Sequence, residues 1–83
     1  MAPSDYTFIL EVRDAPGVLV RVAQVFARRG CNISSLHVTP HPDGQWSTMT
    51  ITARMSTGPI QIQRQLEKLI DVSRATMHKH NAS

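Results

Sequence analysis

The hydrophobic repeat of this chain switches repeatedly between a period of two and a helical period, and turn-forming residues mark the switches. Tyr6, Phe8, Leu10 and Val12 alternate with Thr7, Ile9, Glu11 and Arg13, the pattern of a strand with one buried side. Ile9 on the second side implies that this face is partly covered as well. Asp14-Ala15-Pro16-Gly17 then breaks the alternation, because proline has no amide proton and glycine accepts dihedrals closed to other residues. From Val18 the period is helical: Leu19, Val22, Ala23 and Phe26 fall on one stripe. Arg28 and Arg29 place positive charge at the negative end of the helix dipole, and Gly30 supplies a left-handed cap.

Asn32 to Thr39 reads as a second strand, with Leu36 and Val38 on one face and Ile33, Ser35 and His37 on the other. Pro40-His41-Pro42-Asp43-Gly44-Gln45 is a turn, longer than two residues because of its prolines. In the third strand, Trp46 to Met55, the residues Met49, Ile51 and Ala53 alternate with Thr48, Thr50 and Thr52. Ser56-Thr57-Gly58-Pro59 opens a second helix, with Ile62, Leu66, Leu69 and Ile70 as its stripe. Val72 to about His78 forms the last strand. The order strand-helix-strand-strand-helix-strand contains two right-handed crossover units joined by a hairpin. This predicts an α+β, ferredoxin-like βαββαβ sandwich: a four-stranded antiparallel sheet with both helices on one face. The domain is expected over residues 6–79, with tails at 1–5 and 80–83. The threonine-rich face is left for solvent or a partner.

A chain of 83 residues makes one domain, and at this size folding buries only roughly 60–65% of the surface the unfolded chain exposes. Extra stability is therefore expected from a partner subunit. Cys31 is the single cysteine, so no internal disulfide is available and a reducing, cytoplasmic compartment is expected. The start, Met1-Ala2-Pro3-Ser4-Asp5, lacks the features of a signal peptide. The apolar runs are too short for a membrane span. The net charge is +3, but the basic residues are dispersed, which argues for a solvated surface rather than a nucleic-acid patch.

The residues suggest no catalytic set and no cofactor. No triad motif is present, and the six acidic residues, Asp5, Glu11, Asp14, Asp43, Glu67 and Asp71, are scattered. His37, His41, His78 and His80 do not match recurrent zinc spacings, so no metal site is expected. Gly17 alone does not make a phosphate loop. An RNA-recognition domain shares the element order but stacks bases on sheet aromatics, whereas Tyr6 and Phe8 lie on the core face. The informative segment is Arg13-Asp14-Ala15-Pro16-Gly17-Val18-Leu19. One reading is a plain strand-to-helix turn with Asp14 as the helix cap. The other is a site for a free amino acid: unpaired first-turn amides receive the carboxylate, Asp14 accepts from the ammonium, and Gly17 permits close approach.

Asp14-x-Pro16-Gly17-Val18-Leu19, followed by Phe26-Ala27-Arg28-Arg29-Gly30 and Asn32-Ile33, resembles the ACT domain family. Within it, Arg28-Arg29-Gly30-Cys31-Asn32-Ile33-Ser34-Ser35-Leu36 and Gln65-Leu66-Glu67-Lys68-Leu69-Ile70-Asp71-Val72 resemble the small regulatory subunits of acetohydroxyacid synthase (acetolactate synthase), in their short single-domain form. The resemblance implies a non-catalytic subunit that binds a thiamine-diphosphate-dependent catalytic large subunit, raises its activity and confers feedback inhibition in branched-chain amino-acid biosynthesis. It also implies a homodimer with effectors such as valine, leucine or isoleucine at the interface. The implied effector residues are Asp14 and Gly17, with Ala15, Pro16, Val18 and Leu19 around them, Asn32 at the start of the second strand, and Ile33 lining an apolar pocket. Asp14 stands where this subunit family commonly has asparagine; its charge favours the ammonium and repels the carboxylate. The other readings are a stand-alone amino-acid sensor with a different partner, and an RNA-binding module whose affinity would collapse with salt.

Overall fold

The computed structural model describes residues 3–56 and 58–80. Its elements are β1 (Ser4–Arg13), α1 (Val18–Arg28), β2 (Asn32–Pro40), β3 (Trp46–Met55), α2 (Pro59–Glu67) and β4 (Val72–His80). The sheet order is β2-β3-β1-β4, and every pairing is antiparallel. This is the βαββαβ sandwich that the period changes predict. β1 starts at Ser4 rather than Tyr6, because Ser4 and Asp5 pair with Met55 and Arg54. β4 runs to His80, opposite Asp5. The tail positions 1–2 and 81–83 lie outside the described residues, as does Thr57.

One core lies between the sheet and the helices. Phe8, Leu10 and Val12 of β1 and Met49, Ile51, Ala53 and Met55 of β3 meet Val18, Val22, Val25 and Phe26 of α1 and Ile62 and Leu66 of α2. The Phe8 and Phe26 rings meet edge to face, with centroids 5.2 Å apart, the arrangement favoured by the aromatic quadrupole.

Three details depart from the sequence expectation. The buried stripe of α1 is Val18, Val22, Val25 and Phe26, while Leu19 is 44% exposed; the helix is rolled so that Leu19 faces the sheet edge. In α2 the helix ends at Glu67, and successive three-residue turns, Leu69 N–H to Leu66 O and Val72 N–H to Leu69 O, break its phase. Ile70 is thereby turned out to 94% exposure. In β2 the register shifts between Ile33 and Ser35, and the Ser34 hydroxyl donates to the Thr52 carbonyl. The bulge flips the alternation, so Ile33 (opposite Ala53) shares a face with Leu36 (opposite Ile51) and Val38 (opposite Met49).

β2 is an edge strand that the helices barely cover. Leu36 and Val38 stay 38% and 46% exposed although they lie on the helix side of the sheet. Such an edge offers free backbone groups and apolar side chains together.

Candidate functional site

The loop from Arg13 to Gly17 is pinned from two sides. The Asp14 amide donates to the Gln45 carbonyl, and the Arg13 amide donates to the Asp71 carbonyl, each at 2.8 Å. The Asp71 carboxylate also receives the Arg21 guanidinium and lies 3.9 Å from Arg13 Nε. The turn after α2 thus clamps the entrance of α1. The helix starts behind Gly17, whose φ of 84° suits glycine and strains other residues.

Asp14 does not cap this helix. The N-cap is Gly17, with no side-chain hydrogen bond, and Asp14 is exposed three residues upstream. Its carboxylate lies at the loop surface. The Val18 amide is engaged by the Ala15 carbonyl at 3.4 Å. Leu19 and Val20 are therefore the next amides of the first turn, where a helix leaves donors without intrahelical partners.

Beside this loop lies a cavity of about 280 Å³, close to the lower limit for small-molecule sites. Asp14, Ala15, Val18 and Leu19 line it, together with Arg13 and Val12 at the end of β1 and Val38, Ser47 and Met49 from β2 and β3. Its wall is mostly aliphatic, and its charged groups come from the loop. Pro16 and Gly17 belong to the same loop without lining the cavity.

Asn32 and Ile33 are elsewhere. Asn32 is opposite Arg54 at one end of β3, whereas Arg13 is opposite Trp46 at the other. Eight residue steps at about 3.3 Å each separate the two ends by roughly 26 Å. Ile33 packs against the core of its own chain. A single chain therefore holds Asp14, Ala15, Val18 and Leu19 together and leaves Asn32 and Ile33 apart from them.

Sequence reasoning passed over Ser47, Val38 and Met49 as cavity residues. The signal was present for Ser47: extending the Met49-Ile51-Ala53 alternation back by one step puts it on the apolar face. Ser47 is 2% exposed, and its hydroxyl has no hydrogen-bond partner among the described residues.

Among the described residues, no three His, Cys, Asp or Glu side chains converge in a way that suits a metal. His41 is engaged otherwise: its Nε2 is 2.9 Å from Glu11 Oε1 and 2.8 Å from Thr48 Oγ1, which anchors the hairpin to the open sheet face. Burial pushes the Cys31 thiol up, offset in part by Arg29, the opposite of what a nucleophile needs. The indole of Trp46 lies under the Arg13 guanidinium at 5.1 Å, so it is not a bare stacking platform. No described helix is long and apolar enough to cross a membrane.

A model of the AHAS small subunit-like ACT domain matches residues 8–74. The chain belongs to this family. It is 47% identical over 73 residues to the acetolactate synthase small subunit of Mycobacterium bovis, an overlap covering 87% of this chain and 44% of that protein. The crystal structure of the acetolactate synthase small subunit from Thermotoga maritima superimposes with a TM-score of 0.76 at 35% identity, over 88% of this chain and 46% of that one. The chain thus spans less than half the length of these small subunits. The ACT domain of GTP pyrophosphokinase from Chlorobium tepidum gives a TM-score of 0.75 at 12% identity, a likeness of fold alone.

Proposed function

We propose that this ACT domain is the amino-acid-sensing regulatory part of an acetolactate synthase: it works as a homodimer, binds a small amino-acid effector and acts on a separate catalytic subunit. It carries no chemistry of its own and resides in the cytoplasm with that enzyme. The observation that carries the reading is the half-built site in one chain. The loop and cavity lie at one end of β2, and Asn32 lies at the other.

Antiparallel pairing of β2 with the β2 of a second copy, centred near Leu36, would set Asn32 of one copy opposite Pro40 of the other. The partner's Asn32 would then face the Asp14–Leu19 loop. The same contact would cover Leu36, Val38 and Leu19, the exposed apolar groups on that side. β2 carries no Asp, Glu, Lys or Arg, whereas the opposite edge, β4, carries Arg74 and Lys79, and edge charges oppose pairing.

In this arrangement the effector's ammonium meets Asp14, its carboxylate meets the Leu19 and Val20 amides and the partner's Asn32, and its side chain enters the aliphatic cavity. Branched aliphatic amino acids such as valine, leucine or isoleucine fit these walls. Binding across the interface favours one arrangement of the dimer over another. That difference reaches the catalytic, thiamine-diphosphate-dependent subunit as a population shift. The direct test mixes the purified chain with an acetolactate synthase catalytic subunit and measures acetolactate formation with and without valine. A rise on mixing that valine reverses supports the proposal; a rate unchanged by the chain removes the synthase assignment.

A further inference from the structure

Among the described residues, the large apolar side chain most open to solvent is in the turn between α2 and β4, away from the cavity. Ile70 is 94% exposed, whereas the other exposed large apolar residues lie between 38% and 58%. A lone apolar side chain on a surface is ordinary, but this one is held out by its backbone. The amides of Lys68, Leu69 and Val72 donate to the carbonyls of Gln65, Leu66 and Leu69 at 3.2, 3.1 and 3.1 Å. Leu69 packs against the core and Val72 is 8% exposed, so the turn is fixed on both sides of Ile70. An isoleucine placed this way adds nothing to the core of its own chain.

The turn lies at the effector-loop end of the sheet, on the edge away from β2. Val72 is opposite Val12 near the end of β1, and β4 is the strand farthest from β2 in the sheet. Three strand spacings of about 4.8 Å separate the two edges by roughly 14 Å. Pairing through β2 therefore covers Leu36 and Val38 and leaves Ile70 in solvent. The next residue ties the turn to the effector loop: the Asp71 carbonyl accepts from the Arg13 amide at 2.8 Å, and its carboxylate takes the Arg21 guanidinium. The charge beside Ile70 is mainly positive. Lys68 precedes it, Arg74 follows at an exposed position, and Asp71 is occupied by Arg21 and lies 3.9 Å from Arg13 Nε. Glu67, at the end of α2, is the opposing charge.

We infer that the turn at residues 68–71 docks on the catalytic subunit, with Ile70 seated in an apolar pocket whose rim is acidic. The inference rests on the proposed synthase role and names the surface through which that role is exercised. The β2 edge is taken by the second copy, while this turn stays free and shares a backbone hydrogen bond with the effector loop. Burying the isoleucine supplies affinity, and the basic groups around it match an acidic rim. Because Asp71 belongs to both elements, a displacement of the loop on effector binding changes how Ile70 is presented.

The test titrates an acetolactate synthase catalytic subunit with the native chain and with Ile70→Ala, following acetolactate formation. Ile70→Ala is expected to raise the half-activating concentration about tenfold, the effect of losing the buried part of one aliphatic side chain. Its melting temperature should match that of the native chain, since the side chain is almost wholly exposed. The native half-activating concentration should also rise with salt, as a charge-matched contact requires. An equal half-activating concentration in Ile70→Ala overturns the inference and leaves the synthase reading intact. A loss of self-association in Ile70→Ala with activation unchanged likewise overturns it, making the turn a contact between copies. Activation indifferent to salt overturns the acidic rim. A native chain that never raises the rate overturns the synthase reading and the inference with it.

Discussion

Gly17 and Gly30 form a matched pair that separates backbone strain from ligand contact. Both have positive φ, 84° and 68°. A Cβ at Gly17 would meet only the end of the Arg21 side chain, at 3.8 Å, and one at Gly30 would meet nothing within 4 Å. Neither Gly→Ala substitution therefore creates a clash, and each is governed by the left-handed conformation. That conformation costs a residue with a Cβ about 1–2 kcal/mol. The smaller entropy of the unfolded alanine chain offsets ~0.4–1 kcal/mol of this. The net loss is about 1 kcal/mol at each site, or a fall in Tm of roughly 4–8 °C for a domain of this size. Thermal unfolding followed by circular dichroism should give similar shifts for Gly17→Ala and Gly30→Ala. Titration with valine should show weakened binding only for Gly17→Ala. Equal affinities in the two variants would refute the placement of the ligand at the first loop. A much larger thermal loss at Gly17 would refute the reasoning from strain.

Further consequences are accessible with single substitutions. Phe26→Ala removes a fully buried ring and its contact with Phe8; a loss of about 3–5 kcal/mol should appear as a large drop in the urea midpoint. Asn32→Ala, at an exposed position, should weaken effector binding while moving Tm little, and the reverse result would make Asn32 structural. Asp43 accepts hydrogen bonds from the Gln45 and Trp46 amides, which hold its carboxyl below the usual value. The hairpin stabilisation it provides is present above the unfolded-state pKa of about 3.9 and is lost as pH falls through the lower folded value. Asp43→Asn should therefore destabilise the protein at neutral pH and remove this part of the acid dependence, as read by urea unfolding at pH 3 and pH 7.

The element order was legible because the strand and helix periods are clean and each helix is opened by Gly. The phases of the helices were less legible. In α1, two stripes compete: Leu19-Val22-Ala23-Phe26 and Val18-Val22-Val25-Phe26 are both apolar, and packing against the sheet selects the second. Only a register shift shows that Ile33, Leu36 and Val38 share a face, since a bulge at Ser34 carries no period of its own. Ile70 fits the helical stripe but falls beyond the end of α2. The loop half of the candidate site was visible in Asp14-Ala15-Pro16-Gly17. Its separation from Asn32 was not, because it depends on which end of β3 each loop meets. Ser47 was hidden by being read as the start of a strand and not as part of its apolar face.

The central claim is that each effector site uses the first loop of one copy and Asn32 of the other. It is tested most directly by mixing two defective chains, Gly17→Asp and Asn32→Ala, after unfolding and refolding them together. Calorimetric titration should show amino-acid binding abolished in Gly17→Asp and weakened in Asn32→Ala when each is alone. The claim predicts that the mixture regains native affinity at part of its sites, because a mixed dimer has one site in which an intact loop faces an intact Asn32 and one in which both are altered. A mixture that binds no more tightly than the separate variants, although the two chains dimerise with one another, would contradict a shared site.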